Sequence, residues 1–389
     1  MIRKSVVISL IVVMNMVWLP AQDIRVGLYY EDLVMAFTFH CTAGEYDVKA
    51  GGSSRLVIHP GDILYVSLIN DSIYVNDGEL NYGPYEGLTF KDTLLKGRCR
   101  IKPVQPSLEA HDYAGDVDVG VSHNTLSLVN QIDFDRYLAG VVETEAGPVA
   151  PEEFYKAQAV LCRTYALRNW NRHQGEGFNL CDHTHCQAYK GLSEQSPVIY
   201  TAVLATHNVV VADRHYQLIM AAYHSNSGGE TEQAADIWPV DLDYLQAIID
   251  PFSKNQKHYQ WRKKLSPQAW FAYLETKGID VADADTTDLL IKQPHRKKTF
   301  IYGKDTLSMS VIREDLGLKS AFFDMTLAGD SLVISGRGYG HGVGLSQEGA
   351  MEMAREGYSY SDILRFYFND ISISDVNELP DSELPEAFR

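Results

Sequence analysis

Alternation of apolar and polar positions governs the first hundred residues. The runs IRVGLYY, RLVIHP and DILYVSLIN are short, rich in β-branched and aromatic residues, and separated by Gly-Gly, Asn-Asp and Asp-Gly pairs. This is the pattern of strands joined by tight turns. DVDVGV and TLSLVNQI continue it on either side of Ser122-His123-Asn124. The period then changes. Phe154, Ala157, Leu161 and Tyr165 recur at helical spacing, and Pro151 followed by Glu152 and Glu153 supplies a helix start with proline at its first position. These signals predict a helix from Pro151 through Trp170. Residues 198–224 (VIYTAVLA, VVVAD, YQLIMAAY) read as strands again. A variable stretch follows at 253–330, with one helix (PQAWFAYLETKG) and a basic loop. The strand LVISGRGYG comes next, then helices near 346–356 and 360–368, the second with Ser359 and Asp362 at capping-box spacing. The tail from Asp375 is acidic and contains proline, and it is expected to fray. Strands and helices interleave without regular βαβ alternation, so the expected fold class is α+β, with mainly antiparallel strands and a few helices.

The length of 389 residues allows one or two domains and a large core. Thirty-four basic and 51 acidic residues leave a net charge of −17, which excludes a basic field for nucleic acid. The one dense basic cluster, IKQPHRKK at 291–298, reads as a solvated loop. The N-terminus has its own logic. Arg3 and Lys4 precede an apolar run from Val6 to Leu19, and Pro20, Ala21 and Gln22 follow. Basic, apolar and small-residue zones in that order describe a secretory signal peptide. The run falls short of the roughly 20 residues a spanning helix needs, so the expectation is an exported chain (periplasmic or extracellular, associated with the cell wall) with no stable transmembrane span after cleavage. An uncleaved anchor is the rival. Loss of Arg3 and Lys4 would take the net charge from −17 to −19. Of five cysteines, Cys41, Cys99 and Cys162 lie among apolar neighbours and read as core filling.

Four segments carry candidate chemistry. In SGRGYGHGVGLSQ glycine occupies every second position from Gly336 to Gly344. In an extended chain this strips one face and leaves Arg337, Tyr339 and His341 on the other, where they would wall a binding groove. The glycines call for close approach of a ligand or of another backbone, and their spacing is not that of a dinucleotide fingerprint. In AYHSNSGGETEQAADIW, His224, Ser225 and Ser227 precede Gly228-Gly229 at a strand end, as in a ligand-facing loop or a hydrogen-bonded turn. No G-x-S-x-G elbow supports a serine hydrolase. In the third segment Glu143 and Glu145 sit between a hydrophobic strand and the helix opening at Pro151. A carboxyl group beside apolar residues can have the raised pKa that a general acid needs, and Arg163 one helical face later could steer substrate or tune that acid. In RHQGEGFNLCDHTHCQAYKG, His173, Cys181, His183, His185 and Cys186 fall close together. Two thiolates and two imidazoles would close a structural tetrahedral zinc site; a Cys181–Cys186 disulfide is the alternative. No HExxH occurs.

Three blocks, YLAGVVETEAG with EEFYKAQAVLCRTYAL, YHSNSGGETEQAADIW, and GRGYGHGVGLSQEGAMEMAREGYSYSDILRFYF, resemble the SpoIID/LytB family (stage II sporulation protein D and amidase-enhancer proteins). They stand in the family's order over roughly residues 130–370. The resemblance implies a lytic transglycosylase acting on peptidoglycan glycan strands lacking stem peptides. It aligns the family's catalytic glutamate, in a VV-x-x-E motif, with Glu145 rather than Glu143, although Ala146-Gly147-Pro148 stands where Met-Pro is usual. It implies that Arg163, Tyr339 and His341 orient sugar and stabilise oxocarbenium-like charge. It further implies that Ser227 and Ser346 bond N-acetyl or lactyl groups, with His224 and Arg337 also lining the glycan-binding groove. A structural zinc on Cys181, His185 and Cys186, with His173 as fourth ligand, is implied too. The competing reading from the same family is a non-catalytic, glycan-binding enhancer of an N-acetylmuramoyl-L-alanine amidase. A zinc hydrolase is a third reading, opposed by the fourth protein ligand, because catalytic zinc keeps a position open. The expected organisation is a signal peptide (1–22), a β-rich part (23–125), a core (126–370) with an insertion at about 253–330, and an acidic tail (371–389).

Overall fold

The computed structural model describes residues 22–389, so the signal-peptide segment, save Gln22, lies outside the described residues. The alternating N-terminal third folds as two sheets. Strand Asp23–Leu28 pairs antiparallel with Thr125–Asp133, and that sheet continues through Asp116–Ser122, Leu88–Asp92, Tyr46–Ala50 and Ser53–Ile58. Leu180–Cys181 joins its other edge in parallel. The second sheet runs His111–Ala114, Arg98–Gln105, Ala36–Ala43, Ile63–Ile69, Ser72–Asn76 and Asn81–Tyr85. The strand period of two sends Phe37, Phe39 and Val66 from one sheet and Tyr46, Val48 and Phe90 from the other into a shared interior. There Phe39 stacks on Phe90 at 4.1 Å. Thr125–Asp133 is an inner strand, so the β-rich part reaches Asp133; the expected boundary at 125 would cut the hairpin in which Ser122 faces Thr125.

Helix α1 (Phe134–Ala146) leaves that strand directly, with the Asp133 carboxylate accepting from the Arg136 amide at 3.0 Å. The run YLAGVV, expected as a strand before the glutamates, is therefore helical. Helix α2 (Glu152–Arg168) is buried on almost every side. Pro151 is its N-cap, with ψ of 149°, rather than its first helical residue, and the helix stops short of Trp170. Helix α3 (Pro197–Ala205) overturns the expectation of a strand at VIYTAVLA. Its β-branched residues favour strands intrinsically, but Ile199, Ala202 and Val203 recur at helical spacing and are buried against α1 and α2. Tertiary packing outweighs propensity there. Of the rest of 206–224, only Val209–Ala212 and Tyr223–His224 are strands. The class is α+β with mainly antiparallel sheets, as expected. No helix among the described residues is long and apolar enough to cross a membrane.

The variable stretch is a folded unit that extends to Arg337. Strands Gln260–Leu265, Ser331–Arg337 and Phe323–Ala328 form an antiparallel sheet. Helices Pro267–Thr276 and Met309–Asp315 and a hairpin (Thr299–Tyr302 with Asp305–Ser308) accompany it. Trp270, Leu274, Leu289, Ile312, Met325 and Leu332 make a core separate from that of the main body.

The tail is packed rather than frayed. Ser372–Asp375 pairs with Val209–Ala212, and Val376, Leu379 and Leu384 are buried. Phe388 meets Phe134 at 5.5 Å and Trp170 at 5.0 Å, both edge-on. Apolar residues spaced through an acidic segment hold it down. Replacing the partly buried Phe388 with Ala should lower stability by about 1–3 kcal/mol, below the cost at a fully buried site. The readout is a lower urea midpoint at unchanged slope, and an unchanged midpoint would mean the tail contributes nothing.

Candidate functional site

The last turn of α1 presents two glutamates to different surroundings. Residues two apart on a helix point in nearly opposite directions, and each carboxylate has its own task. Glu143 accepts from the Ser193 hydroxyl at 2.8 Å and from the amides of Gln195 at 3.0 Å and Ser196 at 3.3 Å. It is committed to holding the chain that enters α3. Glu145 faces a different wall. Its Oε1 accepts from the Ala188 amide at 2.9 Å, and the Tyr223 phenol bonds to the same carboxyl. Gln347 donates to the Glu145 main-chain carbonyl at 3.1 Å and reaches Gln158 at 3.4 Å. Among the described residues no cation acts on this carboxyl group. Burial therefore raises its pKa above the ordinary carboxylate range, opposed by the Ala188 N–H and the Tyr223 hydroxyl. Glu145 nevertheless keeps partial solvent access. A protonated carboxyl with one open side can donate a proton to a leaving group and take one back.

The glycine-rich segment explains how Tyr223 is held. Beyond Arg337 the chain does not continue as a strand with one stripped face. It bends, and Gly338, Gly340, Gly342 and Gly344 all have positive φ. A Cβ on Gly338 would lie 2.6 Å from the Asn226 carbonyl, so the glycines serve close approach of another backbone. Tyr223 and His224 pair in parallel with Leu345 and Ser346, and Asn226 bridges Tyr339. Two segments more than a hundred residues apart thus form one seam behind the glutamate.

Several residues expected to touch substrate are parts of this framework instead. Ser227 is fully buried, with its hydroxyl 2.7 Å from Asp250. Ser346, equally buried, caps helix Gln347–Arg355 and accepts from the Ser227 amide at 3.2 Å. Neither can reach an N-acetyl or lactyl group. Arg163 is enclosed in α2, donating to the carbonyls of Thr206 at 2.7 Å and Val203 at 3.2 Å and pairing with Asp135 at 3.4 Å. It neither steers substrate nor tunes Glu145. Arg337 lies on the Phe322 ring at 3.8 Å and donates to the Gln293 carbonyl. His341 lies 3.0 Å from the Tyr223 carbonyl through Nε2 and 3.0 Å from the Val343 amide through Nδ1. Burial pushes its pKa down to about 4, and both ring nitrogens are occupied by main-chain partners. His224 is buried with Nδ1 3.0 Å from the Val343 carbonyl, and its Nε2 has no partner among the described residues. Tyr339 is open, 42% exposed. Sequence reasoning missed Tyr223, Gln347 and the Ala188 amide. Tyr223 looked like the end of an apolar strand, and a main-chain donor leaves no signal in side-chain identity.

The cysteine–histidine segment is brought together on the far side of α2. Donor atoms of His173, Cys181, His185 and Cys186 all lie within 4.8 Å of one another. Cys186 Sγ is 3.4 Å from His173 Nε2 and 3.7 Å from His185 Nδ1; Cys181 Sγ is 3.8 Å from His185 Nδ1. Tetrahedral zinc at usual bond lengths would separate sulfur from nitrogen by about 3.6 Å, so the donor set fits a zinc ion. Glu176 sits 2.6 Å from His173 Nδ1, which leaves Nε2 as the ligating atom. Both cysteines are free thiols rather than a disulfide. His183 lies apart, against Glu31 at 3.2 Å. The same loop continues into Ala188, so the cluster fixes the amide that meets Glu145.

Comparison with known proteins agrees with these blocks. The SpoIID family profile, described as stage II sporulation protein, matches residues 122–212. Stage II sporulation protein D of Bacillus subtilis (strain 168) is 30% identical over 279 residues, covering 68% of this chain and 81% of that protein. That of Bacillus amyloliquefaciens is 29% identical over 293 residues, covering 71% and 83%. A protein named amidase enhancer, from Bacillus subtilis (strain 168), is 30% identical over 284 residues, 59% of this chain but only 39% of that longer protein.

The environment of Glu145 has a thermodynamic consequence. Its carboxyl pKa is higher in the fold than in the unfolded chain. The stability it contributes is therefore full below the unfolded value, near 4.5, and is lost as pH rises through the folded one. Glu145→Gln removes that loss. The variant should melt above wild type at pH 7, with the gain shrinking toward pH 4; equal melting temperatures at pH 7 would mean that the carboxylate is not desolvated.

Proposed function

Because this chain belongs to the stage II sporulation protein D family, we propose that it is an exported cell-wall protein. In this reading it cleaves peptidoglycan glycan strands as a lytic transglycosylase, with strands lacking stem peptides as preferred substrate. The observation that carries the proposal is the largely buried carboxyl of the partly exposed residue Glu145, held by the Ala188 amide and the Tyr223 hydroxyl. Lytic cleavage needs a single carboxyl group rather than the usual glycosidase pair, and Glu143 is occupied elsewhere. Glu145 donates its proton to the oxygen linking N-acetylmuramic acid to N-acetylglucosamine as the bond to C1 breaks. The resulting carboxylate takes the proton of the muramic C6 hydroxyl, whose oxygen closes onto C1 as a 1,6-anhydro ring. Proton and atoms balance, and no water is consumed. Tyr223 and the Ala188 amide hold the carboxyl in place and stabilise its ionised form between the two transfers.

Export is supported by the N-terminal zones Arg3-Lys4, Val6–Leu19 and Pro20–Gln22. His173, Cys181, His185 and Cys186 would hold a structural zinc, which when bound supplies a crosslink between the Leu180–Cys181 strand and the loop carrying Ala188. A second reading is favoured by the relative named amidase enhancer: a glycan-binding partner of a cell-wall amidase, without catalysis of its own.

Mass spectrometry of denuded glycan strands separates the two readings. Wild type should leave anhydromuramic ends, and Glu145→Gln should reduce their formation by at least about 10²-fold, as loss of an acid catalyst does. Bound but uncut glycan with both proteins would support the enhancer reading. Metal analysis should find one zinc per chain. Cys186→Ser should lose it and melt at lower temperature, whereas a metal-free wild type of unchanged stability would refute the structural site.

A further inference from the structure

One cluster of reactive and exposed groups near Glu145 has no part in the cleavage step. Two connections run to it from the glutamate. Tyr223, which bonds Glu145, is followed two residues later by Ser225, roughly 7 Å along an extended backbone. Ser225 Oγ lies 3.3 Å from His258 Nδ1. Gln347, which holds the Glu145 carbonyl, is followed by Glu348, whose carboxylate lies 2.8 Å from the same His258 Nδ1 and accepts from Asn226 at 2.7 Å. Both routes end at one histidine at the entrance to the inserted unit.

The carboxylate takes up Nδ1 of His258, and Nε2 has no hydrogen-bond partner among the described residues. The side chain is 28% exposed. The exposed ring of Tyr339 stands edge-on to His258, 5.4 Å between centroids. Lys319, also exposed and contributed by the inserted unit, lies 5.5 Å from the Tyr339 ring. The amide of Gly340 donates to the Lys319 carbonyl at 2.9 Å, which ties the lysine to the same seam. An exposed aromatic ring, an imidazole and an ammonium group lying over that ring therefore sit side by side, linked through chain neighbours to the two residues that hold Glu145. Each suits a different part of a glycan. The electron-rich ring face takes the C–H face of a pyranose, the imidazole accepts from a hydroxyl or acetamido N–H, and the ammonium pairs with a carboxylate. A cation is notable on a chain of net charge −17, which otherwise repels anions.

We propose that Tyr339, His258 and Lys319 form a second sugar subsite, in which Lys319 reads the free lactyl carboxylate of another N-acetylmuramic residue on the same strand. The inference rests on the glycan-cleaving reading above and adds a reason for preferring strands without stem peptides, in which that carboxylate is uncapped.

The test measures binding without turnover. In a Glu145→Gln background, affinity is determined by calorimetry for a denuded GlcNAc–MurNAc oligosaccharide and for a chito-oligosaccharide of equal length, which lacks lactyl groups. Lys319→Ala should weaken the muramyl ligand roughly three- to tenfold and leave the chito-oligosaccharide unchanged. The difference should shrink in high salt. Tyr339→Ala should weaken both. Equal effects of Lys319→Ala on the two ligands, or none on either, would overturn the subsite. Cleavage by the parent protein separates this from the function itself. Wild type that forms anhydro ends while Lys319→Ala binds normally refutes only the subsite. Lactyl-selective binding with no anhydro ends from wild type refutes only the cleavage chemistry.

Discussion

A carboxyl group largely withdrawn from water and held by neutral donors is the constraint on which this site depends. Ionised carboxylates are costly to bury, so the protein must both enclose Glu145 and supply enough donors to make its charged form reachable. It does so with one main-chain amide and one phenol. Each is held from a different direction. Ala188 follows the cysteine–histidine loop, and Tyr223 stands on the seam built by the glycine-rich segment. The two most conspicuous sequence motifs thus act on the glutamate through the groups they position.

That arrangement explains why so many polar residues of the motifs are buried and satisfied. Ser227, Ser346 and His341 lock two backbones that approach too closely for side chains to intervene, while Arg337 is spent on the Gln293 carbonyl and the Phe322 ring. Arg163 does the same for the end of α3. A buried ion pair such as Arg163–Asp135 offers little net stability compared with apolar packing, but through Arg163 the start of α1 and the end of α3 are both tied to α2.

The sequence was legible where periodicity and caps dominate. The alternating strands of the first third, the capping box at Ser359 and Asp362, and the helix at PQAWFAYLETKG all form close to where the pattern puts them. It misled where long-range packing decides. VIYTAVLA has strand composition but lies against two helices, and the acidic tail is pinned by Phe388 in an aromatic notch that no local signal announces. For the site, residue chemistry singled out Glu143 and Glu145 together and the cysteine–histidine donors, and the family resemblance chose between the glutamates. Residue chemistry could not distinguish a serine that faces a ligand from one that caps a helix, because both readings use the same side chain.

The inserted unit also bears on how the site comes into being. The seam pairs Tyr223 with Leu345 in parallel, a contact that would close a loop of more than a hundred residues, and such closure becomes entropically harder as the loop lengthens, by about 0.6 kcal/mol per doubling. Within that loop, strands Gln260–Leu265 and Ser331–Arg337 lie side by side, with Gln260 opposite Arg337. Once the insertion has formed around its own core, its two ends are adjacent and most of the intervening chain no longer counts toward the closure. The inserted core thus lowers the entropic cost of closing the seam that surrounds the glutamate.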